Sequence, residues 1–365
     1  MHVAQNKAHG TEGFMAHKCV LYSKYATALF ALDKSKKGVV RLQNDFVLWL
    51  VIPCYNEEAV LPTTAPLFLH EIKKLIDACI ISPNSKICFV DDGSCDSTWS
   101  IISSLSEQNA IYQGIRLAHN AGHQNALLCG LTYAKNSCDA CISSDCDGQD
   151  DIHIISAMVN KYRAGYDIVY GVRSRRATDS AFKRISAESY YKLLQRLGIH
   201  VVFNHADYRL MSKQALVALS MFKERNLFLR GIVPLIGFNT TQVEYERTER
   251  LAGTSHYPLT KMLSLAFNGI TSFSVSPIHV ITGLGFAFSL LGAAGIVWII
   301  VSHMLNLTIP GWSSLALLIC LFGGLQLFAL GIIGEYIGKI YIEVKRRPRF
   351  IVSECTWQSS MCVDE

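Results

Sequence analysis

Between residues 46 and 170, short apolar runs of strand length alternate with longer stretches of helical periodicity. This alternation is typical of βαβ units, in which right-handed crossover helices join parallel strands. The predicted strands are Phe46–Ile52, Lys86–Val90, Gly114–Leu117, Ala140–Ser143 and Asp167–Tyr170, and the predicted helices cover 60–80, 96–108, 121–135 and 151–164. We therefore expect a Rossmann-like α/β domain whose ligands bind in the loops that follow the strands.

The C-terminal third of the chain contains two long uncharged apolar runs, at 278–302 and 315–334. About 20 apolar residues are enough for a helix to cross the hydrocarbon core of a bilayer. Only a short link separates the runs, so we predict a two-helix transmembrane hairpin with both ends on one side. With half of its residues apolar and 17% charged, the chain does not fit a disordered or nucleic-acid-coating protein.

The flanks of these runs predict an orientation, because Lys and Arg accumulate on the cytoplasmic side of a membrane. The link at 303–314 has neither residue, whereas the segment after the second run is basic. Its cations are Lys339, Lys345, Arg346, Arg347 and Arg349. We therefore expect an integral membrane protein with the α/β domain and both termini cytoplasmic. Glu335 is expected to pair with Lys339 at helical spacing.

Two further stretches, at 182–200 and 258–277, are basic and aromatic and have the pattern of amphipathic helices. They fit either interfacial helices partly embedded in a bilayer or helices that pack on the sheet. The chain then divides into an extension (1–45), the α/β domain (46–257), an interfacial helix (258–277), the hairpin (278–338) and a basic cytoplasmic tail (339–365).

The first predicted strand leads into the sequence VIPCYNEE at 51–58. Pro53 is expected to end strand pairing, which leaves Tyr55, Asn56 and Glu57 on the loop at the carboxyl end. An aromatic ring beside amide and carboxylate groups can hold a nucleobase and a ribose. A simple turn after a strand explains the same residues.

The second predicted strand ends in VDDGS at 90–94. The adjacent carboxylates of Asp91 and Asp92 form an acidic turn that can accept hydrogen bonds from a base or a sugar. Alternatively, Ser94 or Asp96 caps the following helix. Both interpretations can hold together.

The fourth predicted strand ends in SSDCDGQDD at 143–151. Asp145 and Asp147 are two residues apart, so their side chains project to the same side of an extended segment. Two hard oxygen ligands suit Mg²⁺ or Mn²⁺ bridging a diphosphate. A solvated acidic loop remains the alternative.

Together, an NEE turn, a DDGS turn and a DxD turn on successive strands resemble family 2 of the glycosyltransferases, which have the GT-A fold. Further segments narrow the resemblance to the polyisoprenyl-phosphate glycosyltransferases, the group of the bactoprenol glucosyltransferases and dolichyl-phosphate mannose synthase. They are GVRSRR (171–176), DYRLM (207–211), RLAGTSHYPLTK (250–261), FSVSPI (273–278) and GEYIGKIYIEVKRRPRFIV (334–352). The resemblance covers residues 46–352.

This resemblance implies roles for residues at the ends of the first, second and fourth strands. The nucleotide-sugar donor is contacted by Pro53, Tyr55, Glu57, Asp91, Asp92 and Asp145. The divalent metal, and through it the donor diphosphate, is held by Asp145, Asp147 and Gln149, and Asp147 is thereby counted as catalytic. Gly148 and Asp151 depart from the DLQDPPE pattern that is frequent in the family, which leaves the sugar specificity open.

The resemblance also implies a site for the acceptor phosphate and a catalytic base. The phosphate is bound by Arg173, Lys183, Arg184 and Ser186, although these cations can equally serve attraction to anionic lipid. Asp207 falls at the position of the family's candidate base. Because a phosphate monoester is already largely anionic at pH 7, Asp207 can instead orient Arg209 or the metal shell.

The function implied by the resemblance is an inverting transfer of a sugar to polyprenyl phosphate, with undecaprenyl phosphate as the lipid and UDP-glucose as the first expected donor. UDP-GlcNAc, GDP-mannose and an aminoarabinose derivative are alternative donors, and a non-enzymatic membrane-tethered nucleotide-sugar binder is the alternative class. A processive polysaccharide synthase is disfavoured because no QxxRW segment occurs in the chain. The expected partners are the donor, the lipid and a membrane, without nucleic acid, and homo-oligomerisation is left open.

Overall fold

The computed structural model describes residues 46–173, 205–225, 229–246 and 311–357, with scattered positions between 278 and 305. In these ranges an eight-stranded sheet has the order β7-β5-β6-β4-β1-β2-β3-β8. The strands are β1 (Leu48–Cys54), β2 (Lys86–Asp91), β3 (Tyr112–Leu117), β4 (Ala140–Ser143), β5 (Ile168–Arg173), β6 (His205–Ser212), β7 (Thr240–Tyr245) and β8 (Val352–Cys355). The helices are α1 (Leu61–Asp77), α2 (Thr98–Gln108), α3 (His123–Ser137), α4 (Ile154–Arg163), α5 (Lys213–Leu219), α6 (Leu229–Leu235) and α7 (Trp312–Lys345).

The five predicted strands and four predicted helices are confirmed as β1 to β5 and α1 to α4. Strands β3, β2, β1 and β4 are parallel neighbours, as βαβ units require. Strand β1 lies at the centre and is buried along its whole length. Leu50 and Ile52 pack with α1 and α4 on one face, whereas Trp49 and Val51 pack with α3 on the other. The sheet is therefore covered on both faces.

The complete sheet is mixed, because strands outside the predicted βαβ units join it in the antiparallel direction. Strand β6, which contains the DYRLM segment, is inserted between β4 and β5 and runs antiparallel to both. Strand β8 pairs antiparallel with β3 at the opposite edge. These pairings join segments far apart in sequence, so local periodicity does not reveal them.

Pro53 does not end strand pairing, contrary to the sequence prediction. Strand β1 continues to Cys54, which is in register with Asp91 of β2. The neighbour on the other side, β4, already ends at Ser143 opposite Val51. Because β4 does not extend as far as Pro53, the missing N–H of proline costs no hydrogen bond to β4.

Gly93, in the turn after β2, has a backbone conformation and a packing environment that only glycine suits. Its φ is +67°, and an added Cβ would lie 2.6 Å from the backbone carbonyl carbon of His119. We expect Gly93→Ala to lower the free energy of unfolding by about 2–4 kcal/mol, from left-handed strain and overpacking together. Gly122 is a matched control, because its φ is +90° but nothing lies within 4 Å of an added Cβ. Urea denaturation of Gly122→Ala should show only the strain, about 1–2 kcal/mol; equal losses in both variants would contradict the packing argument.

The prediction of an integral membrane protein is wrong for the described part of the chain. Among the described residues, no helix combines the length and the apolar character that crossing a membrane requires. A span needs sufficient length and sufficient apolar character along the same helix, and an apolar run in the sequence does not by itself establish both. In α7 the expected pair of Glu335 and Lys339 is confirmed at 3.9 Å.

Several predicted segments lie outside the described residues. They are the extension at 1–45, the amphipathic helices at 182–200 and 258–277, and most of the apolar run at 278–302. The division into domains therefore stays a prediction.

Candidate active site

The loops that follow β1 and β2 are joined by hydrogen bonds. The amide of Asn56 donates to Ser94 Oγ (3.0 Å), and the Asn56 side chain accepts from the amide of Cys95 (3.0 Å). Asp96 accepts from the amide of Thr98, the first residue of α2 (3.0 Å), but the N-cap position is Ser97 rather than Asp96 or Ser94, and the Ser97 side chain makes no capping hydrogen bond. This framework leaves the ring of Tyr55 46% exposed at the carboxyl edge of the sheet, where a base could stack on it.

Asp91 and Asp92 are buried, and their carboxylates interact with the protein itself. Asp92 accepts from the amides of Ala121 (2.7 Å) and Gly122 (3.0 Å), which precede α3. Asp91 lies 3.6 Å from the guanidinium of Arg116. These contacts hold the β2 turn against the start of α3, so both acids at least position the loop that the sequence assigns to the donor.

The pairing of β4 with β6 brings Asp145 and Asp207 to the same place. Ser143 is in register with Arg209, so the next positions along the two antiparallel strands set Asp145 opposite Asp207. His123, the first residue of α3, lies between them. Its Nε2 is 3.6 Å from Asp145 Oδ1 and 4.0 Å from Asp207 Oδ2. The end of β4, the start of β6 and the start of α3 therefore form a single polar centre.

The DxD segment carries concentrated negative charge. Burial, together with the carboxylates of Asp150, Asp207 and Asp147, raises the pKa of Asp145 to about 6, against the opposing effect of His123. These surroundings destabilise the ionised form of the Asp145 carboxyl, and a bound cation would stabilise it. The residues present therefore fit a divalent metal ion.

The backbone of the DxD segment curls tightly after Asp147. The Asp147 carboxylate accepts from the amide of Gln149 (3.1 Å), and Gly148 between them has φ +65°. Glycine adopts this conformation at no steric cost, which accounts for Gly148 where the family often has leucine. Within the described ranges, no cluster of three or more His, Cys, Asp or Glu side chains is arranged to hold a metal ion. A metal bound by Asp145 and Asp147 would therefore take its remaining oxygen ligands from the donor diphosphate or from water.

Asp207 is held by two arginines. The buried Arg209, two residues along β6, donates to Asp207 Oδ1, and Arg230 of α6 donates to Oδ2 (3.0 Å). The pKa of Asp207 falls well below its usual range, because the two guanidinium charges outweigh the effect of burial. Such a carboxylate stays ionised at neutral pH and is a weak proton acceptor. The geometry thus favours the alternative in which Asp207 orients arginine side chains.

Arg173 lies at the end of β5 within a polar cluster of its own. Its guanidinium donates to Asp150 Oδ1 (3.1 Å) and to the hydroxyl of Tyr245 (3.2 Å), and that hydroxyl donates to Asp150 Oδ1 (2.6 Å). The Arg173 side chain is 26% exposed. The other predicted acceptor-phosphate residues, Lys183, Arg184 and Ser186, lie outside the described residues.

The hydroxyl of Tyr245 should contribute measurably to stability, because it connects Asp150 and Arg173. We expect Tyr245→Phe to lower the free energy of unfolding by about 1–2 kcal/mol, since it leaves a buried charged acceptor short of one donor. Tyr55→Phe is the control, as Tyr55 is exposed, and it should change stability by less than about 0.5 kcal/mol. Urea denaturation measures both. Equal stability of Tyr245→Phe and the wild type would rule out a structural role for this cluster.

Sequence reasoning missed four residues of the polar centre and of the Arg173 cluster: His123, Asp150, Arg230 and Tyr245. Two of them had a usable signal, since His123 follows the third predicted strand and Asp150 lies inside the DxD segment. Arg230 and Tyr245 had none, because they reach the site through α6 and β7, whose packing depends on distant residues.

Comparisons with known proteins show the family to which this chain belongs. The profile of Glycosyl transferase family 2 matches residues 49–219. The uncharacterized glycosyltransferase YkoT of Bacillus subtilis is 51% identical over 310 residues, which are 85% of this chain and 92% of that protein. The SfII prophage-derived bactoprenol glucosyl transferase of Shigella flexneri is 38% identical over 84% of this chain and 97% of its own length. The prophage bactoprenol glucosyl transferase homolog of Escherichia coli is 36% identical over 83% of this chain and 97% of its own. The chain therefore belongs to glycosyl transferase family 2 and is a glycosyltransferase with a GT-A-like α/β fold.

Proposed function

We propose that this enzyme transfers a sugar from a nucleotide-sugar donor to the phosphate of a polyprenyl lipid. The observation that carries the proposal is the polar centre at the end of β4, where acidic side chains are concentrated. The chain that contains it aligns with a bactoprenol glucosyl transferase over 97% of the length of that protein. The names of these relatives support the lipid phosphate as acceptor and glucose as the first sugar to test.

The donor is proposed to lie along the carboxyl ends of β1, β2 and β4. Tyr55 is exposed for stacking on the base, and the interlocked turns after β1 and β2 hold that ring in place. Asp145 and Asp147 would hold Mg²⁺ or Mn²⁺, which would neutralise the diphosphate as it leaves. His123 at the first turn of α3 faces Asp145 and can donate to a phosphate oxygen at the same place.

The acceptor phosphate is proposed to approach Arg230, whose side chain is 38% exposed beside Asp207. A phosphate monoester is mostly dianionic at pH 7, so its oxygen can attack the sugar without transferring a proton first. Asp207 then acts by holding Arg230 towards the acceptor rather than as a base. Attack from the face opposite the diphosphate inverts the configuration at the anomeric carbon.

Purified protein should be given undecaprenyl phosphate in detergent and labelled UDP-glucose, UDP-GlcNAc or GDP-mannose, with Mg²⁺, Mn²⁺ or EDTA. We expect a lipid-linked product from one donor, and none with EDTA. Release of free labelled sugar without any lipid product would show hydrolysis and reject the lipid acceptor. Absence of both products from every donor would reject the choice of donors and acceptor together.

A further inference from the structure

A basic pocket lies where the end of α7 meets the catalytic domain. Its volume is about 290 Å³, near the lower limit for sites that hold small molecules. Of the residues that the structure describes, four cations and no carboxylate line it. The cations are Arg225, Lys345, Arg347 and Arg349, and the rest of the described wall is formed by Asn125, Tyr341, Ile342 and Pro348.

Several contacts join this pocket to the folded domain. Arg349 donates to the carbonyl of Phe222 (2.9 Å), and the amide of Arg225 donates to Glu343 Oε1 of α7 (2.7 Å). After the pocket, β8 pairs with β3, so the basic segment between α7 and β8 is anchored at both ends. The four cations are therefore held close together by the fold.

Bringing four cations together around one cavity is unfavourable unless an anion offsets their repulsion. Two carboxylates lie nearby: Glu343 accepts from the backbone amide of Arg225, and Glu224 interacts electrostatically with Arg349. Neither of them lines the pocket. Arg225 Nε is buried and makes no hydrogen bond to any described residue. Lys345 lies 4.3 Å from the ring centroid of Tyr341, which holds its ammonium group at the pocket wall. The pocket thus presents four positive charges and, in Arg225 Nε, a hydrogen-bond donor that has no acceptor among the described residues.

The pocket is separate from the polar centre that Asp145, Asp207 and His123 form. Asn125 lines the pocket and His123 faces Asp145, and the two residues lie on the first turn of α3. Two positions along a helix differ by about 200° in direction, so these side chains leave opposite sides of α3. An anion in the pocket would therefore lie across α3 from the proposed metal ligands.

We propose that this pocket is a second anion site, which binds a phosphate or diphosphate group through Arg225, Lys345, Arg347 and Arg349. Guanidinium groups bind phosphate oxygens through paired hydrogen bonds, and three of the four cations are arginines. The group can come from a free diphosphate, such as that of a nucleotide, or from a prenyl phosphate. The site does not depend on the function proposed above.

Isothermal titration calorimetry of the full chain with inorganic pyrophosphate tests the site, in EDTA so that no metal recruits the probe to the DxD segment. We expect saturable binding of about one pyrophosphate that weakens as salt is raised. Arg347→Gln should weaken it at least about tenfold, the effect of losing one charge-assisted hydrogen bond. Adding Lys345→Gln should weaken it further.

Arg346→Gln is the matched control, because Arg346 is the adjacent exposed cation and does not line the pocket. It should change the affinity by no more than about twofold. Equal losses from Arg346→Gln and Arg347→Gln would mean diffuse attraction and overturn the site, as would the absence of saturable binding of both pyrophosphate and the prenyl phosphate by the wild type. A parallel titration with a short-chain prenyl phosphate, below its micelle concentration, identifies the source. Pocket-dependent binding of that probe alone assigns a lipid phosphate, and binding of both assigns the phosphate group itself. Because no donor is present, a negative result leaves the proposed transfer reaction intact.

Discussion

Asp147→Asn is expected to lower the rate of sugar transfer at least about a hundredfold. Asparagine keeps the size of the side chain and can still accept from the amide of Gln149, so the loop should keep its shape. It removes one of the two charges available to a divalent cation. The measurement is kcat for lipid-linked product as a function of Mg²⁺ or Mn²⁺ concentration, which should reveal a loss that added metal does not fully restore.

Asp151→Asn provides the control for this prediction. Asp151 belongs to the same acidic segment, but its carboxylate accepts from the amide of His153 at the start of α4. Asparagine serves that purpose equally well, so activity should remain within about threefold of the wild type. Full activity in Asp147→Asn, or an equal loss in both variants, would remove the proposed metal role from Asp147.

Asp207→Asn is expected to destabilise the fold by about 3 kcal/mol as well as to reduce transfer. Arg209 is 1% exposed, and the change leaves its charge buried without a compensating anion at Asp207. Urea denaturation measures the loss in stability. Arg230→Gln is the matched comparison, because the Arg230 side chain is 38% exposed and its pairing with Asp207 should contribute no more than about 1 kcal/mol.

Arg230→Gln also separates structure from catalysis. If Arg230 faces the acceptor phosphate, this variant should remain folded but show a raised KM for polyprenyl phosphate, with little change in the KM for the donor. An unchanged acceptor KM would contradict the proposed role of Arg230. A loss of stability as large as that of Asp207→Asn would show that Arg230, rather than Arg209, is the partner on which the fold depends.

The stability that Asp207 contributes should depend on pH in one direction. Its pKa is lower in the folded protein than in the unfolded chain, so the contribution is complete above the unfolded value of about 4. It is lost as pH falls from there towards the folded pKa. The difference in stability between the wild type and Asp207→Asn should therefore be constant from about pH 5 to 7 and shrink below about pH 4. A difference that grows on acidification would contradict the ion pairing.

Strands β1 to β5, helices α1 to α4 and the three acidic turns could be predicted from the sequence alone. Their signals are local, because apolar periodicity and the residues that end a strand depend on close neighbours in the chain. The order of the turns was also sufficient to indicate the family, which the comparisons confirm. At the C-terminus, local composition gave a wrong prediction. The apolar runs predicted membrane spans, but no described helix meets the requirements for one.

The tertiary structure alone decided which side chains meet. Asp207 faces Asp145 only because β6 enters the sheet antiparallel between β4 and β5. Tyr245 reaches Asp150 across 95 positions of sequence through the pairing of β7 with β5. The structure favours an orienting role for Asp207 over that of a base, because, against the effect of burial, the charges of Arg209 and of Arg230, which α6 supplies, together hold its pKa low. Pairing and burial join residues that are distant along the chain, so the motifs identify the chemical groups and the fold determines their electrostatic environment.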